Sequence, residues 1–445
     1  MSAGSLGGIM SDIMQKTSDF LTKWGIDPET VSMEPLLDSF LKAMEQGLEG
    51  NEESSLKMIP TYTEVVSTLA VGEPVIVLDA GGTNFRTCLV TFCENGTPRI
   101  EDFRKVSMPG VKEEVSEQQF FSTFADEVER LIDKSDKIGF CFSYAAAITP
   151  DHDGIPLVFS KEIKAPQVIG KKVGASLLAE LARRGYDVSK KKVAVLNDTV
   201  ATLLAGQSVK SEVPYSAYVG FILGTGTNTA YVEKNAAIKK ISIQDDRSQI
   251  INIESGNFDF CPSELDRQFF NATKHPEQYH LEKMISGAYL GPLSTMLIEK
   301  AIEEGILSTT FAQRFSKLGG INTTVMSHYL EMPFNKEYAL VACCEGNEDD
   351  AKALWLIIDT LIARAGKMTA ANLAATVLKG GCGTDPRRPV CINADGTTYY
   401  KTEYLKKYTE YYLHRYLTLR YKRYYRFVRI DDSPTIGAAI AGLSL

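Results

Sequence analysis

The sequence predicts an α/β protein in which two lobes share one cleft. From residue 75 to residue 204, short apolar runs alternate with segments of helical spacing, which is the pattern of an α/β fold. Two glycine-rich turns, at 81–84 and 224–228, each lie between apolar runs that read as strands. No low-complexity linker divides the chain, which favours two lobes with the chain crossing between them.

Hydrophobic periodicity gives each element in order. Helical spacing of apolar residues predicts helices, and alternating or short continuous apolar runs predict strands. A final run of small residues predicts a helix that packs closely on another element. The predicted elements are helices at 9–24 and 33–48, strands within 75–92, a helix at 120–132, a strand at 137–142, a helix at 173–184, a strand at 193–196, and helices beginning at 201 and at 297–304, 351–378, 402–419 and 436–442.

Composition describes an ordinary soluble globular protein. The chain has 445 residues, 44% of them hydrophobic, which is enough for two or three domains with large cores. Its net charge of −8 disfavours a general nucleic-acid or anionic-membrane binder. Eight cysteines without CxxC pairs indicate a reduced chain without structural zinc. No signal-peptide pattern or run of eighteen apolar residues occurs, so we expect a cytoplasmic protein.

The two glycine-rich turns repeat the residues Gly-Thr-Asn. Neither leads into an obvious helix, which separates them from a Walker-type loop. Such a turn offers successive backbone N–H groups and short hydroxyls that suit an anion. The alternative is ordinary hairpin chemistry, because Gly and Asn favour positive φ. Two such turns in one chain favour a clamp around a polyphosphate.

Asp198 follows a short apolar strand, at 193–196, where a parallel strand would end at a cleft. A carboxylate in that place can orient an alcohol and accept its proton during phosphoryl transfer. The alternative is that Asp198 only caps the helix that follows it.

Five segments resemble motifs of the hexokinase family and occur in the family order. They are 57–62, 78–86, 196–200, 224–228 and 282–291. The chain is therefore identified as a member of that family. The resemblance implies the two-lobed actin-like ATPase fold, which is ribonuclease H-like, with a hinged central cleft. It also implies transfer of the γ-phosphoryl group of ATP to the 6-hydroxyl of glucose and other hexoses.

The resemblance implies roles on the sugar side. Asp198 matches the catalytic base, and Lys161 matches a second catalytic residue in the loop that closes over the sugar. The matching sugar ligands are Ser143, Ser160, Lys161, Asn197, Asp198, Asn228, Glu254 and Glu282. Read alone, Glu282 with Lys283 could be an exposed charge pair, Glu254 a surface residue, and Ser160 with Lys161 the end of a strand.

On the nucleotide side, the resemblance implies two phosphate turns and a segment beside the base. The matching residues are Asp79, Gly81, Gly82, Thr83, Asn84 and Arg86 in the first turn, Gly224, Thr225 and Gly226 in the second, and Ser433 near the base. Asp79 would orient Mg²⁺ through water. Arg86 would either neutralise phosphate or form a structural ion pair. Residues 392–399 resemble the strand and turn on the adenosine side.

The family pattern places a large lobe at 1–70 plus 202–434 and a small lobe at 71–201 plus 435–445. Expected partners are a hexose and ATP, with no nucleic acid or membrane, and the chain would be a monomer or homodimer. Residues 401–429 hold nine Lys or Arg, two Glu and many tyrosines. We interpret them as a solvated face over packed rings rather than a nucleic-acid site.

Several departures from the family pattern leave the preferred sugar open. Ser143-Tyr144-Ala145 lacks the usual proline, Ser160 replaces threonine, and Ser255 stands where many relatives have tryptophan. The alternatives are a narrower fructokinase or mannokinase and a catalytically weak sugar-sensing protein. A chaperone or filament ATPase of the superfamily would lack the hydroxyl-binding residues.

Overall fold

The computed structural model describes residues 12–66, 68–159, 163–208, 213–243 and 245–445. Its strands are β1 Ile59–Pro60, β2 Pro74–Gly81, β3 Asn84–Phe92, β4 Pro98–Ser107, β5 Lys137–Phe142, β6 Ala146–Ile148, β7 Gly154–Pro156, β8 Lys192–Leu196, β9 Ala217–Leu223, β10 Thr227–Lys234, β11 Ser248–Asn252, β12 Val390–Asp395 and β13 Tyr425–Val428. Its α-helices are α1 Asp12–Lys23, α2 Met33–Glu49, α3 Glu117–Val128, α4 Val173–Arg183, α5 Asp198–Ala205, α6 Glu264–Asn271, α7 His280–Ile285, α8 Leu290–Glu303, α9 Thr309–Phe315, α10 Thr323–Glu331, α11 Ala339–Cys343, α12 Glu348–Gly380, α13 Thr397–Lys401, α14 Leu405–Leu413 and α15 Ser433–Leu443.

The first half of the chain forms a five-stranded sheet of order β4-β3-β2-β5-β8. Strands β2, β5 and β8 are parallel, while β3 and β4 extend the sheet as antiparallel neighbours. Ile76 and Leu78 of β2 pack on the face that carries α3 and α4, and Val75 and Val77 pack on the opposite face with α5 and α15. Because both faces are covered, β2 is a nearly continuous apolar run.

Strand β1 and the five strands from 217 to 428 form a six-stranded sheet of order β1-β11-β10-β9-β12-β13. Here too, a hairpin, β9-β10, lies beside parallel strands, β12 and β13. The 33-residue helix α12 runs through the core of this part. Arg364 of α12 donates two 2.8 Å hydrogen bonds to Asp266 of α6, and both side chains are fully buried. Each sheet therefore contains a glycine-rich hairpin next to parallel strands.

Helices α5 and α15 cross at backbone contact. A Cβ added at Gly437 of α15 would lie 1.8 Å from the carbonyl oxygen of Ala201 in α5. Helix α15 packs equally closely on strand β5, because a Cβ added at Gly139 would lie 1.9 Å from the carbonyl oxygen of Ala438. On its other side, α5 meets β9, where a Cβ at Gly220 would lie 2.3 Å from the oxygen of Thr199. The expectation that the small residues of 436–442 form a closely packed helix is confirmed.

Most predicted elements are present with shifted ends. Helix α3 begins before residue 120, because Ser116 and Gln119 form a capping box that satisfies the first N–H groups. The helix predicted at 402–419 is α14 followed by the π-helical turns His414–Arg420. The predicted strand and turn at 392–399 are the end of β12, Gly396 and the start of α13.

All eight cysteines have free thiols. Within the described ranges, no helix has both the length and the apolar content that crossing a membrane requires.

Candidate active site

Three parallel strands end at the same edge of the five-stranded sheet. Gly81 ends β2, Ser143 directly follows β5, and Asn197 directly follows β8. The Ser143 N–H donates to the oxygen of Ala80 over 3.0 Å, which ties the ends of β5 and β2 together. A Cβ at Gly81 would lie 3.3 Å from Ser143 Oγ, so the first glycine turn and Ser143 are direct neighbours. This edge is where ligands of open α/β sheets bind.

Asp198 is the first residue of α5, but it is not the cap of that helix. Asn197 is the N-cap, and its side-chain oxygen accepts the Thr199 N–H over 2.9 Å. The Asp198 carboxylate accepts a hydrogen bond from Thr199 Oγ1 over 3.4 Å, and its negative charge is stabilised by the nearby Thr199 N–H and Ser143 hydroxyl. The alternative that Asp198 serves only as a cap is therefore wrong.

The environment of Asp198 raises its pKa to about 6, from an ordinary value of 3.8. Burial makes the largest contribution, followed by the negative charge of Glu254 and, more weakly, that of Asp79. The Thr199 N–H and the Ser143 hydroxyl oppose the rise in pKa by stabilising the carboxylate. Coulombic coupling falls with distance, so its presence places these three carboxylates, which come from both sheets, near one another.

The first glycine turn is the tight end of the β2-β3 hairpin, with Gly81 paired to Asn84. Gly82 has a φ of +54°, which a residue with a side chain rarely adopts. Gly82 and Thr83 are exposed, and Tyr144 Oη donates to the Gly82 oxygen over 2.7 Å. Tyr144, in the loop that follows β5, thus stabilises the first glycine turn by this hydrogen bond.

Asp79 and Arg86 face each other across the hairpin and form an ion pair of 2.5 Å. Of the two alternatives for Arg86, the structure shows the ion pair. Asp79 is buried, and burial raises its pKa although the Arg86 charge acts in the opposite direction.

Asp79 can also serve a hydrated metal. Its Oδ2 contacts Arg86, whereas Oδ1 would lie 3.4 Å from a Cβ at Gly81 and so faces the glycine turn. Among the described residues, no cluster of three or more His, Cys, Asp or Glu side chains has metal-ligand spacing. A single carboxylate beside a phosphate turn fits Mg²⁺, which keeps several waters and takes its other ligands from phosphate.

The second glycine turn is the end of the β9-β10 hairpin. The Gly224 N–H donates to the Gly226 oxygen over 2.9 Å, and the Gly224 oxygen accepts from Thr398 Oγ1 over 2.7 Å. A Cβ at Gly226 would lie 2.6 Å from Glu282 Oε2, so a larger residue there would have to displace the Glu282 carboxylate. Thr225, between the two glycines, is exposed.

Glu282, on α7, supports the same hairpin from behind. Its Oε2 accepts the Thr227 N–H over 3.0 Å. Burial, assisted by the charge of Glu254, raises the pKa of Glu282 to about 7 against the opposing Thr227 hydrogen bond. Lys283 is fully buried and donates to the oxygen of His275 over 2.6 Å. The alternative of an exposed Glu282–Lys283 charge pair is therefore wrong, because the two side chains point into different buried surroundings.

Glu254 lies just after β11 and has a φ of +58°. Its Oε1 accepts from Asn252 Nδ2 over 2.7 Å and from Asn228 Nδ2 over 3.2 Å. Its Oε2 has no hydrogen-bond partner among the described residues, and the side chain is only partly exposed. Asn252 was not predicted; a polar residue at the end of an apolar strand, two positions before Glu254, was the available signal.

A cavity of about 720 Å³ adjoins the second turn. Its lining includes Thr225, Gly287, Thr323, Thr397 and Thr398, so the segment that resembles the adenosine side borders it. Ser433 is placed elsewhere: it is fully buried, donates to the oxygen of Ile430 and accepts from Asn393 Nδ2. The nucleotide role of Ser433 stays a prediction, as do the roles of Ser160 and Lys161, which lie outside the described residues.

Family models cover nearly the whole chain. One described as Hexokinase matches residues 17–208, and a second with the same description matches residues 218–444, which is more than half of the chain by itself.

Individual relatives agree with these models. A hexokinase of Schistosoma mansoni is 34% identical over 296 residues, which are 63% of this chain and 64% of that protein. Hexokinase-2 of Homo sapiens is 27% identical over 420 residues, 89% of this chain and 45% of the human protein. The alignments thus span less than two thirds of either relative. A structure of the Schistosoma mansoni hexokinase complexed with glucose matches with a TM-score of 0.75 at 25% identity, covering 97% of this chain and 99% of that one. The α/β fold of the present chain, the two family models and these relatives together show that the chain belongs to the hexokinase family.

Proposed function

We propose that the protein transfers the γ-phosphoryl group of ATP to the 6-hydroxyl of glucose and related hexoses. The observation that carries the proposal is the Asp198 carboxylate, which follows β8 at the sheet edge where β2 and β5 also end, and whose pKa burial and Glu254 raise to about 6. Near neutral pH such a group is mostly ionised and still basic enough to accept a proton from an alcohol in the transition state. Family membership and the glucose complex of the Schistosoma mansoni protein support the choice of substrate.

In the proposed reaction, Asp198 accepts the proton of the sugar 6-hydroxyl while the sugar oxygen forms a bond to the γ-phosphorus. The bond from that phosphorus to the bridging oxygen breaks, and ADP leaves with the electron pair. The Ser143 hydroxyl holds the Asp198 carboxylate in position. The two glycine turns bind the phosphates through backbone N–H groups and the hydroxyls of Thr83 and Thr225, which fixes the geometry of transfer.

Sugar binding is assigned to the polar groups around Asp198. Glu254 Oε2 and the Asn197 amide nitrogen have no partner among the described residues, so both are available to sugar hydroxyls. Asn228 of β10 and Glu282 of α7, which is hydrogen-bonded to β10, complete the set. Directional hydrogen bonds of amides and carboxylates suit a polyol, and each lost partner costs about 1–3 kcal/mol if the group stays buried.

The nucleotide is assigned to the first turn, the second turn and the 720 Å³ cavity beside Thr225. Mg²⁺, held by Asp79 through water, supplies charge neutralisation of the phosphates when it is bound. We also propose that the lobes, with the boundaries given above, close on the sugar and bring Ser160 and Lys161 over it.

A coupled assay of ADP release with ATP, Mg²⁺ and a panel of hexoses tests the proposal. We expect ADP release that depends on glucose. Activity restricted to fructose or mannose would support the narrower kinase. Glucose binding without ADP release would support a sugar-sensing protein, and ATP hydrolysis unaffected by any sugar would contradict the proposal.

A further inference from the structure

A buried polar contact lies beneath the sugar-binding side chains and is not explained by packing. Asn372 lies within α12, fully buried, with mostly apolar neighbours along 368–377. Its Nδ2 donates to Thr229 Oγ1 over 2.8 Å and reaches Ser255 Oγ at 3.5 Å. Its Oδ1 has no hydrogen-bond partner among the described residues. An unpaired buried amide oxygen destabilises a fold, so the residue is expected to serve another purpose.

The hydroxyls of Thr229 and Ser255, which Asn372 contacts, connect the two segments that carry Asn228 and Glu254, β10 and the turn after β11. Thr229 Oγ1 and Ser255 Oγ lie 3.1 Å apart, which joins β10 to the turn after β11. A second bridge joins the same two segments. The side-chain oxygen of Asn228 accepts the Thr229 N–H over 2.7 Å and the Ser255 N–H over 3.3 Å. Asn372 thus connects the bridge between the Thr229 and Ser255 hydroxyls to the core helix α12.

Glu254 depends on such anchoring. Its φ of +58° is unfavourable for a residue with a side chain and persists only where the surroundings hold it. Ser255, the next residue, is fully buried and is fixed through its N–H and its hydroxyl. The same contacts make no hydrogen bond to the Gly224–Gly226 turn or to Asp198.

We propose that Asn372 is a positioning residue for the hexose site: through Thr229 and Ser255, its amide fixes the Asn228–Glu254 pair that binds the sugar. The proposal rests on the proposed function. It assigns Asn372 to hexose affinity alone, separate from nucleotide binding and proton transfer.

The test is the Asn372→Leu variant, since leucine has a similar size and lacks both polar atoms. We expect glucose affinity, measured by calorimetry without nucleotide, and the KM for glucose to weaken roughly five- to thirtyfold. The KM for ATP should change by less than about twofold, and Tm should be equal to or above that of the unmodified protein, because the unpaired oxygen is gone.

The matched control is Thr369→Val. Thr369 is equally buried on the same helix, but its hydroxyl bonds only to the Ala365 oxygen of that helix. Ser255→Ala should also weaken glucose binding, and combining it with Asn372→Leu should add little, since both remove one bridge. Unchanged glucose affinity in Asn372→Leu, or a parallel loss for glucose, ATP and Tm, would overturn the assignment. A protein that binds no glucose before any substitution would overturn the proposed function and this inference with it.

Discussion

Asp198 joins two properties that suit a general base, a carboxylate that is not used as the helix cap and a raised pKa. Asn197 is the N-cap of α5, which leaves Asp198 free of that role. The raised pKa follows from burial and from the carboxylates Glu254 and Asp79 nearby. Neither property belongs to aspartate itself, so both can be tested by changing the neighbours as well as the residue.

Removing the base should abolish most of the chemistry without removing the site. We expect Asp198→Ala to lower kcat at least roughly 10²–10⁴-fold, which is the usual contribution of general-base catalysis. Glucose binding should be partly retained, because Asn228, Glu254 and Glu282 are unchanged. Steady-state kinetics and glucose calorimetry on the same preparation check this, and a fully active variant would contradict the assignment.

The raised pKa of Asp198 should make kcat/KM depend on pH. The base works only when deprotonated, so kcat/KM should be near its plateau well above pH 6 and fall roughly tenfold per pH unit below it. Glu254→Gln removes a negative charge that raises this pKa, so the acid limb should move to lower pH. An acid limb of kcat/KM at the same pH in both proteins, measured with limiting glucose and saturating ATP, would show that another group titrates.

At the scale of elements, glycines decide how closely strands and helices approach. The clearest case is the crossing of α5 and α15, where the added Cβ at Gly437 would overlap the oxygen of Ala201. That contact connects the last helix of the chain with the helix that begins at Asp198. Packing at this crossing therefore supports the position of Asp198 at the start of α5.

We expect Gly437→Ala to destabilise the protein, because the crossing cannot take a methyl group without moving a backbone. The loss should be about 1–3 kcal/mol, seen as a lower Tm by differential scanning calorimetry. Gly380→Ala is the control: Gly380 is the last residue of helix α12, its Cβ would lie 3.7 Å from the nearest atom, and its φ is ordinary. A Tm in Gly437→Ala equal to that of the control would contradict the close-contact account.

At the scale of the whole molecule, the site is assembled from two sheets that resemble each other in plan. Each brings a glycine-rich hairpin next to parallel strand ends. The five-stranded sheet supplies Ser143, Asn197 and Asp198, while the six-stranded sheet supplies Asn228 and Glu254. A ligand that contacts both sheets should favour their approach.

Glucose should therefore compact the protein. We expect the radius of gyration, measured by small-angle X-ray scattering, to fall when D-glucose is added, and Tm to rise because the sugar binds the folded state. L-glucose is the control, since it has the same composition and the wrong hand. A rise in Tm without any change in the radius of gyration would confirm binding and contradict closure.

Part of the fold and of the candidate site could be predicted from local patterns in the sequence. Apolar runs predicted β2, β3, β5 and β8 of the five-stranded sheet, and the glycine turns predicted the β2-β3 and β9-β10 hairpins, but β1, β4 and β11 were not predicted. The motif around Asp198 predicted the base. The long helix α12 and the closely packed helix α15 were likewise predicted, because their patterns extend over many residues. Ends of elements were less accurate, since caps such as Ser116 with Gln119 set them.

Only the tertiary structure decided which side chains share an environment. The sequence left open whether Arg86 binds phosphate or pairs with Asp79, whether Glu282 is exposed, and whether Asp198 is a cap. It gave no sign of Asn372, which is far from Ser255 along the chain. Hydrogen bonds and charge effects depend on distance in space and on burial, whereas periodicity and motifs depend on separation along the chain. The prediction of Asp198 as the base therefore rested on local sequence, whereas its pKa and the residues that support it are set by the fold.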